Sequence, residues 1–149
     1  MKIATTKFGE IDIREDSIIH MPRGMLGFPD NKAFVLFQHK PDSPFFWYQA
    51  IDDPDVSFVI TNPFLFKPDY VVETAHILQD MSWDADPAES DLQVYVVVNI
   101  PRGSPESMSA NLIGPILINV KAREAVQMIL SDSIYSHRFP LMQQGQETA

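Results

Sequence analysis

Residues 51–70 read IDDPDVSFVITNPFLFKPDY, and this stretch joins an acidic turn, a strand and an aromatic loop. Asp-Asp-Pro-Asp at 52–55 favours a turn, because aspartate side chains bond nearby backbone groups and proline fixes its own φ. Residues 56–61 predict a strand, which Asn62-Pro63 ends. Large rings follow in a loop between prolines, where apolar side chains are less expected: Phe64, Phe66 and Tyr70. The segment therefore indicates a β fold with aromatic side chains outside its regular elements.

Outward from this segment, short apolar runs separated by turns predict further strands. Residues 92–100 are the clearest case, because their β-branched density suits a central strand covered on both faces. Residues 125–130 contain good helix formers but alternate as a strand would, and we favour a strand. The other expected strands are 2–6, 10–13, 18–19, 34–38, 45–51, 71–72, 110–114 and 116–120. Residues 75–81 and 134–138 predict short helical turns.

These elements lack the long helices of a βαβ pattern. They predict an all-β, mainly antiparallel fold, in which a single domain forms a β-barrel or sandwich with one or two short helical turns. A chain of 149 residues is expected to form one domain. We expect this domain to span residues 1–140 and residues 141–149 to form a flexible C-terminal tail.

Composition excludes several classes of protein. The chain has no cysteine, so disulfides, thiolate nucleophiles and cysteine-based metal sites are excluded, and a reducing cytosol is the expected compartment. No apolar run is long enough for a membrane span, so a soluble cytoplasmic protein is expected. With 11 basic and 20 acidic residues, the formal net charge of -9 argues against nucleic acid as a direct partner.

The acidic residues are grouped along the sequence. One group is the 52–55 turn, and the other is Asp80, Asp84, Asp86, Glu89 and Asp91, with no basic residue between them. Two interpretations are open. The acids can form a solvated surface that keeps the protein soluble, or they can attract a basic protein partner, in which case association would weaken with added salt.

Catalytic motifs are missing from the sequence. The four histidines are isolated, and no pair has the spacing that places two ligands on one helical face. There is no GxSxG elbow and no phosphate-binding glycine loop. Asp52, Asp53 and Asp55 lack the spacing, glycine and terminal glutamate of an EF-hand. We therefore expect no catalytic residue, no cofactor and no metal site.

The aromatic loop has two interpretations. Its rings can fill the core beneath the loop, or one or two of them can be exposed as interface anchors beside acids that form a polar rim. Sequence periodicity leaves both open.

Several segments together resemble the FliW family of flagellar assembly factors. The central motif at 51–70 is joined by Gly27-Phe28 with Phe34 after a Pro-Arg-Gly lead-in, and by NLIGPILIN at 111–119. Gln127-Met128-Ile129-Leu130 and Tyr135 with Arg138 are similar to its C-terminal segment. Gly114 departs from the alanine expected before Pro115, and the acidic segment at 80–91 has no clear match.

The resemblance implies a non-enzymatic regulator that antagonises the small basic translational repressor CsrA and also binds flagellin. From the charge balance and the missing apolar run we expect no direct nucleic-acid or membrane partner, and we expect a monomer. The residues expected at or near the partner surface are Asp52, Asp53, Asp55, Phe64, Phe66, Asp69, Tyr70 and Asn111. A flagellin chaperone without CsrA antagonism and a small β-barrel enzyme are the alternative functions.

Overall fold

A computed structural model describes residues 1–38, 40–84, 91–130 and 134–141. In these residues the strands are β1 (Lys2–Thr5), β2 (Gly9–Asp12), β3 (Ile18–His20), β4 (Ala33–Phe37), β5 (Phe45–Ala50), β6 (Ser57–Thr61), β7 (Leu92–Asn99), β8 (Ser109–Ala110), β9 (Ile116–Asn119), β10 (Glu124–Gln127) and β11 (Phe139–Pro140). Helix α1 spans Ala75–Asp80, and short 3₁₀ turns lie at Glu15–Ser17, Pro63–Leu65 and Pro105–Ser107. None of the described helices is long and apolar enough to cross a membrane.

Seven of the strands close into a barrel. Their order is β7-β6-β5-β4-β3-β10-β9, and β9 pairs back onto β7. The pairs are antiparallel except β3 with β10, which is parallel where His20 meets Glu124. Strands β8 and β11 extend the sheet outward from the end of β7. The prediction of an all-β, mainly antiparallel fold is confirmed, and of the two expected forms, barrel or sandwich, the structure is a barrel. Closure removes most of the exposed edges that an open sheet would have.

Side chains alternate between the two faces of each strand, and those on the inner face fill the barrel with apolar groups. The ring of Phe34 on β4 stacks on the ring of Tyr48 on β5, with centroids 4.5 Å apart and planes at 3°. Both side chains have no solvent exposure. Residues from the opposite wall, Ile116 and Ile118 on β9, belong to the same cluster. This interior is the main core of the domain.

Two further clusters cover the outside of the barrel. Helix α1 packs Ile77 and Leu78 against the outward-facing Leu117 and Val126 of β9 and β10. A second cluster lies over the outer face of β7, where Val96 and Val98 are buried. Strand β7 is therefore covered on both faces, as its composition predicts.

Three of the predicted elements are corrected by the structure. Only the first residue of the strand expected at 110–114 is paired; after it, the Asn111 side chain accepts hydrogen bonds from the backbone N–H groups of Ile113 and Gly114, which makes a turn. Residues 71–72 form no strand. Residues 134–138 form no helical turn, and the short strand β11 that follows them was not predicted.

Leu141, expected at the start of the flexible tail, is buried against the cluster over β7. Residues 142–149 lie outside the described residues, so the tail stays a prediction there. Asp86 and Glu89 of the second acidic group also lie outside them.

Candidate partner-binding surfaces

The acidic turn and the aromatic loop lie at opposite ends of β6. The turn at 52–55 precedes this strand and the loop at 62–70 follows it. A strand of 5 residues spans roughly 17 Å at about 3.3 Å per residue. The aspartates therefore do not surround the rings as a polar rim, and the central segment presents two separate surfaces.

The acidic turn is held in place by its own backbone and by the β1–β2 hairpin. The Asp53 carboxylate accepts a hydrogen bond from the backbone N–H of Asp55 at 3.1 Å. The Thr6 hydroxyl donates to the Asp55 carboxylate, and the Thr6 N–H donates to the carbonyl of Pro54 at 2.9 Å. Asp52 and Asp55 are exposed, whereas Asp53 is half-buried. The turn thus presents two carboxylates to solvent on a fixed backbone.

The aromatic loop begins with a capped 3₁₀ turn. The Asn62 side chain accepts a hydrogen bond from the N–H of Phe64 at 2.9 Å. Pro63 occupies the first position of the turn, where its missing N–H costs nothing. Its carbonyl accepts from the N–H groups of Phe66 and Lys67. This local bonding uses backbone groups that would otherwise continue the β6–β7 ladder, and the ladder ends at Thr61.

The three rings of the loop divide between surface and core. Phe64 is 39% exposed, and Phe66 is half-buried against Phe45 with ring centroids 6.4 Å apart. Tyr70 is 3% exposed, and its hydroxyl donates to the carbonyl of Leu112 at 2.6 Å. Burial raises the pKa of Tyr70 well above the ordinary tyrosine value. Both interpretations of the loop therefore apply, each to a different ring.

Apolar neighbours extend the exposed part of this loop. Leu65 is 62% exposed and Val71 is 61% exposed. We call Phe64, Leu65 and Val71 the loop surface. Sequence reasoning missed Leu65 and Val71, although Leu65 lies between two rings and Val71 directly follows the third. The loop surface thus contains aliphatic as well as aromatic side chains.

A tyrosine pair fixes the loop surface on the barrel. The rings of Tyr70 and Tyr135 meet edge to face, with centroids 4.7 Å apart. The hydroxyl of Tyr135 accepts a hydrogen bond from the N–H of Val71 at 2.9 Å. Ile134, beside this tyrosine in the chain, is 95% exposed. The C-terminal segment thereby supports the loop from below.

Asp69, the acid of the loop, is paired. Its carboxylate lies 3.0 Å from the ammonium of Lys67, and this hydrogen bond together with the positive charge lowers the pKa of Asp69. The same ammonium lies 5.9 Å from the ring centres of Tyr135 and Phe139. Asp69 is exposed, but a neighbouring cation partly offsets its charge.

Asn111 has a structural place in the fold. Its side chain forms the turn at 111–114, and its N–H donates to the carbonyl of Val97 at 2.9 Å. The next residue, Leu112, accepts the Tyr70 hydrogen bond. Asn111 therefore lies behind the aromatic loop and holds the backbone on which that loop rests.

The described parts of the chain contain no group of three or more His, Asp or Glu side chains placed to hold a metal ion. The geometry there consists of a fixed acidic turn and an apolar loop surface. Such surfaces are suited to contact with another macromolecule.

Comparison with known proteins identifies the family. The family described as FliW protein matches residues 2–141 of the sequence. The chain belongs to the FliW family. Flagellar assembly factor FliW of Magnetococcus marinus is 39% identical over 142 residues, which cover 95% of this chain and 85% of that protein. The FliW protein of Alkaliphilus metalliredigens is 39% identical over 150 residues, covering 99% and 90%.

The FliW fold is also seen in a solved structure. A crystal structure of the flagellar assembly factor FliW superposes with a TM-score of 0.85 at 32% sequence identity, covering 97% of this chain and 99% of that one. The FliW match includes the central segment at 51–70 and the 111–119 segment, so the two surfaces described above lie inside the region shared with the family.

Proposed function

We propose that this protein is a non-enzymatic cytoplasmic regulator that binds and antagonises the translational repressor CsrA and also binds flagellin. Free flagellin level would then control flagellin translation and flagellum assembly. The observation that carries the proposal is membership of the FliW family over residues 2–141. Relatives covered over most of their length are named flagellar assembly factors.

The loop surface supports a role in protein binding. Exposed rings and aliphatic side chains that are packed from behind make good interface anchors, because little side-chain entropy remains to be lost on binding. Phe64 contacts the ring of Tyr70 with centroids 5.9 Å apart, and Tyr70 is itself fixed by its hydrogen bond to Leu112. The anchor is therefore pre-organised before a partner arrives.

Charge supports a basic partner. The formal net charge is -9, and Asp52 and Asp55 are exposed on a rigid turn. A field of this sign accelerates encounter with a positively charged protein such as CsrA and is screened by salt. The acidic turn would mainly raise the association rate, whereas the loop surface would mainly lower the dissociation rate.

The first test measures binding of purified CsrA and flagellin to loop-surface variants. We expect Phe64→Ala combined with Leu65→Ala to weaken binding of at least one partner about tenfold or more, because hot-spot side chains cost about 1.4 kcal/mol or more when truncated. The matched control is Ile100→Ala. Ile100 is 43% exposed, against 39% for Phe64. It directly follows β7 and lies near the start of β6, whereas the loop surface follows the other end of β6. Unchanged affinities for both partners would remove the loop surface from the proposal.

The second test is a competition experiment. Immobilised protein is loaded with CsrA, and flagellin is then added. Release of CsrA by flagellin, together with relief of repression in a translation assay, is the expected result. Binding of flagellin without any binding of CsrA would instead identify a dedicated flagellin chaperone.

A further inference from the structure

The pairing of β6 with β7 stops short of the start of β7. Strand β6 pairs with Val96 to Val98 and ends where Thr61 meets Val96. On the other side, β9 pairs with residues 92–95 of β7. Among the residues that the structure describes, the first half of β7 therefore has a neighbouring strand on one side only.

Hydrogen bonds at either end of β7 show which backbone groups face the open side. Val120 donates to the carbonyl of Asp91, and Asn111 donates to the carbonyl of Val97, so odd-numbered residues here point towards β9 and β8. Because backbone direction alternates along a strand, the N–H and C=O of Leu92 and Val94 point the other way.

Pro63 explains why this edge stays open. Continuing the ladder past Thr61 would place Pro63 opposite Val94. Proline has no N–H to donate, and the Pro63 carbonyl already accepts from Phe66 and Lys67. Within the described residues, no hydrogen bond reaches the Val94 N–H from this direction.

A groove lies over the open edge. Its volume is about 430 Å³, and it is lined by Asn62, Phe64, Leu92, Gln93, Val94 and Tyr95. The ring of Phe64, which the loop surface exposes, forms one wall. The groove thus combines unpaired strand backbone with an aromatic side chain.

We propose that an extended segment of CsrA binds here by adding a short strand to β7. An open strand edge selects an extended chain, since only that conformation returns hydrogen bonds to alternate residues. Asp91 directly precedes the strand in a protein of net charge -9, which favours a basic segment. Only Leu92 and Val94 offer backbone groups, so the added strand is short. The inference rests on the proposed function and assigns a binding mode to its CsrA contact.

Amide hydrogen exchange of the intact protein, free and saturated with CsrA, tests this directly. In the free protein the Val94 amide should exchange rapidly, because it donates no hydrogen bond within the described fold. On CsrA binding its exchange should slow by about tenfold or more. The amides of Val96 and Val98, which face β6, should be slow in both states and serve as the internal control.

A variant pair separates backbone from side-chain effects. Val94→Pro removes the N–H that would pair with CsrA and keeps the β9 side intact, whereas Val94→Ala keeps the N–H. We expect Val94→Pro to weaken CsrA binding about tenfold, which corresponds to the loss of one or two hydrogen bonds, and Val94→Ala to change it less than threefold. Circular dichroism and thermal melts check folding, and if Val94→Pro does not fold, the exchange experiment alone decides.

The outcomes distinguish this inference from the function on which it rests. CsrA binding with unchanged exchange at Leu92 and Val94 would overturn strand addition and leave the proposed function standing. Protection of these amides by flagellin, or by dimers of this chain, but not by CsrA would also overturn it. If CsrA does not bind the wild-type protein at all, the proposed function fails first.

Discussion

Two buried tyrosines offer a matched test of the packing described above. The Tyr48 hydroxyl is enclosed in the barrel and has no hydrogen-bond partner among the described residues. The Tyr70 hydroxyl donates to Leu112 at 2.6 Å. Replacing either by phenylalanine removes one oxygen and keeps the ring, including the stack of Tyr48 on Phe34. The chemical change is the same, but the expected effects on stability have opposite signs.

The magnitudes follow from hydrogen-bond energetics. Burying a hydroxyl without a partner costs about 1–3 kcal/mol, so Tyr48→Phe should raise the free energy of unfolding by about 1 kcal/mol. Tyr70→Phe removes a bond worth about 1 kcal/mol and leaves the Leu112 carbonyl unpaired, so it should lower stability by about 1–2 kcal/mol. For a domain of this size, 1 kcal/mol shifts Tm by about 3 °C.

Urea unfolding at neutral pH, followed by tryptophan fluorescence, measures both variants against the wild type. The reasoning requires Tyr48→Phe to unfold at a higher urea concentration and Tyr70→Phe at a lower one, with equal m-values. If Tyr48→Phe were destabilised as much as Tyr70→Phe, the hydroxyl of Tyr48 must have a partner inside the barrel, and the reasoning is refuted.

Three further predictions concern the same fold. Gly24 has φ +67, and a Cβ there would lie 2.7 Å from backbone atoms of Phe28 and Pro29. Gly24→Ala should therefore lower the free energy of unfolding by about 2 kcal/mol or more in the same urea assay. The control Gly27→Ala should lower it less, because a Cβ at Gly27 would meet open space. Burial raises the pKa of Tyr48, Tyr70 and Tyr95, so in the folded protein they stay neutral above about pH 10, where tyrosines of the unfolded chain ionise. The free energy of unfolding should therefore be independent of these tyrosines below about pH 10 and fall above it by up to about 1.4 kcal/mol per tyrosine for each pH unit. Urea unfolding from about pH 8 to 11 measures this, and a flat profile would contradict their burial. The Trp83 indole donates to Glu124 at 2.8 Å, so Trp83→Phe should cost about 1–2 kcal/mol, and a neutral result would mean that α1 is not held through this bond.

Much of the barrel could be predicted from local pattern. The bounds of strands β4 to β7 were predicted to within one residue, because dense β-branched and aromatic runs between proline turns have few alternatives. Strand β8 was predicted only at Ala110, and strand β11 was not predicted. A strand of two residues is too short to show periodicity. Strands β8 and β11 pair because the turn at Asn111 ends β8 and tertiary contacts bring the C-terminal segment beside it.

The candidate surfaces were predicted less completely. The rings of the loop could be identified as candidate contacts from their residue type. Residue type could not show that Tyr70 is buried, because its hydrogen-bond partner, Leu112, is 42 positions away in the sequence. Leu65 and Val71 were missed, since single aliphatic residues in a loop give no signal of exposure. The separation of the acids from the rings depends on β6 being an extended strand between them.

The parallel pair of β3 with β10 has a consequence for how the chain folds during synthesis. Its partners, His20 and Glu124, are about a hundred residues apart in the sequence. Strands β3 to β6 can form a meander as they emerge from the ribosome, but β3 keeps an unpaired edge until the β9–β10 hairpin has been made. The C-terminal quarter is therefore the closing unit of the molecule. We expect chains released before residue 127 to aggregate through that edge, because β10 is then incomplete, and Tyr135, which fixes the loop surface, has not yet been made.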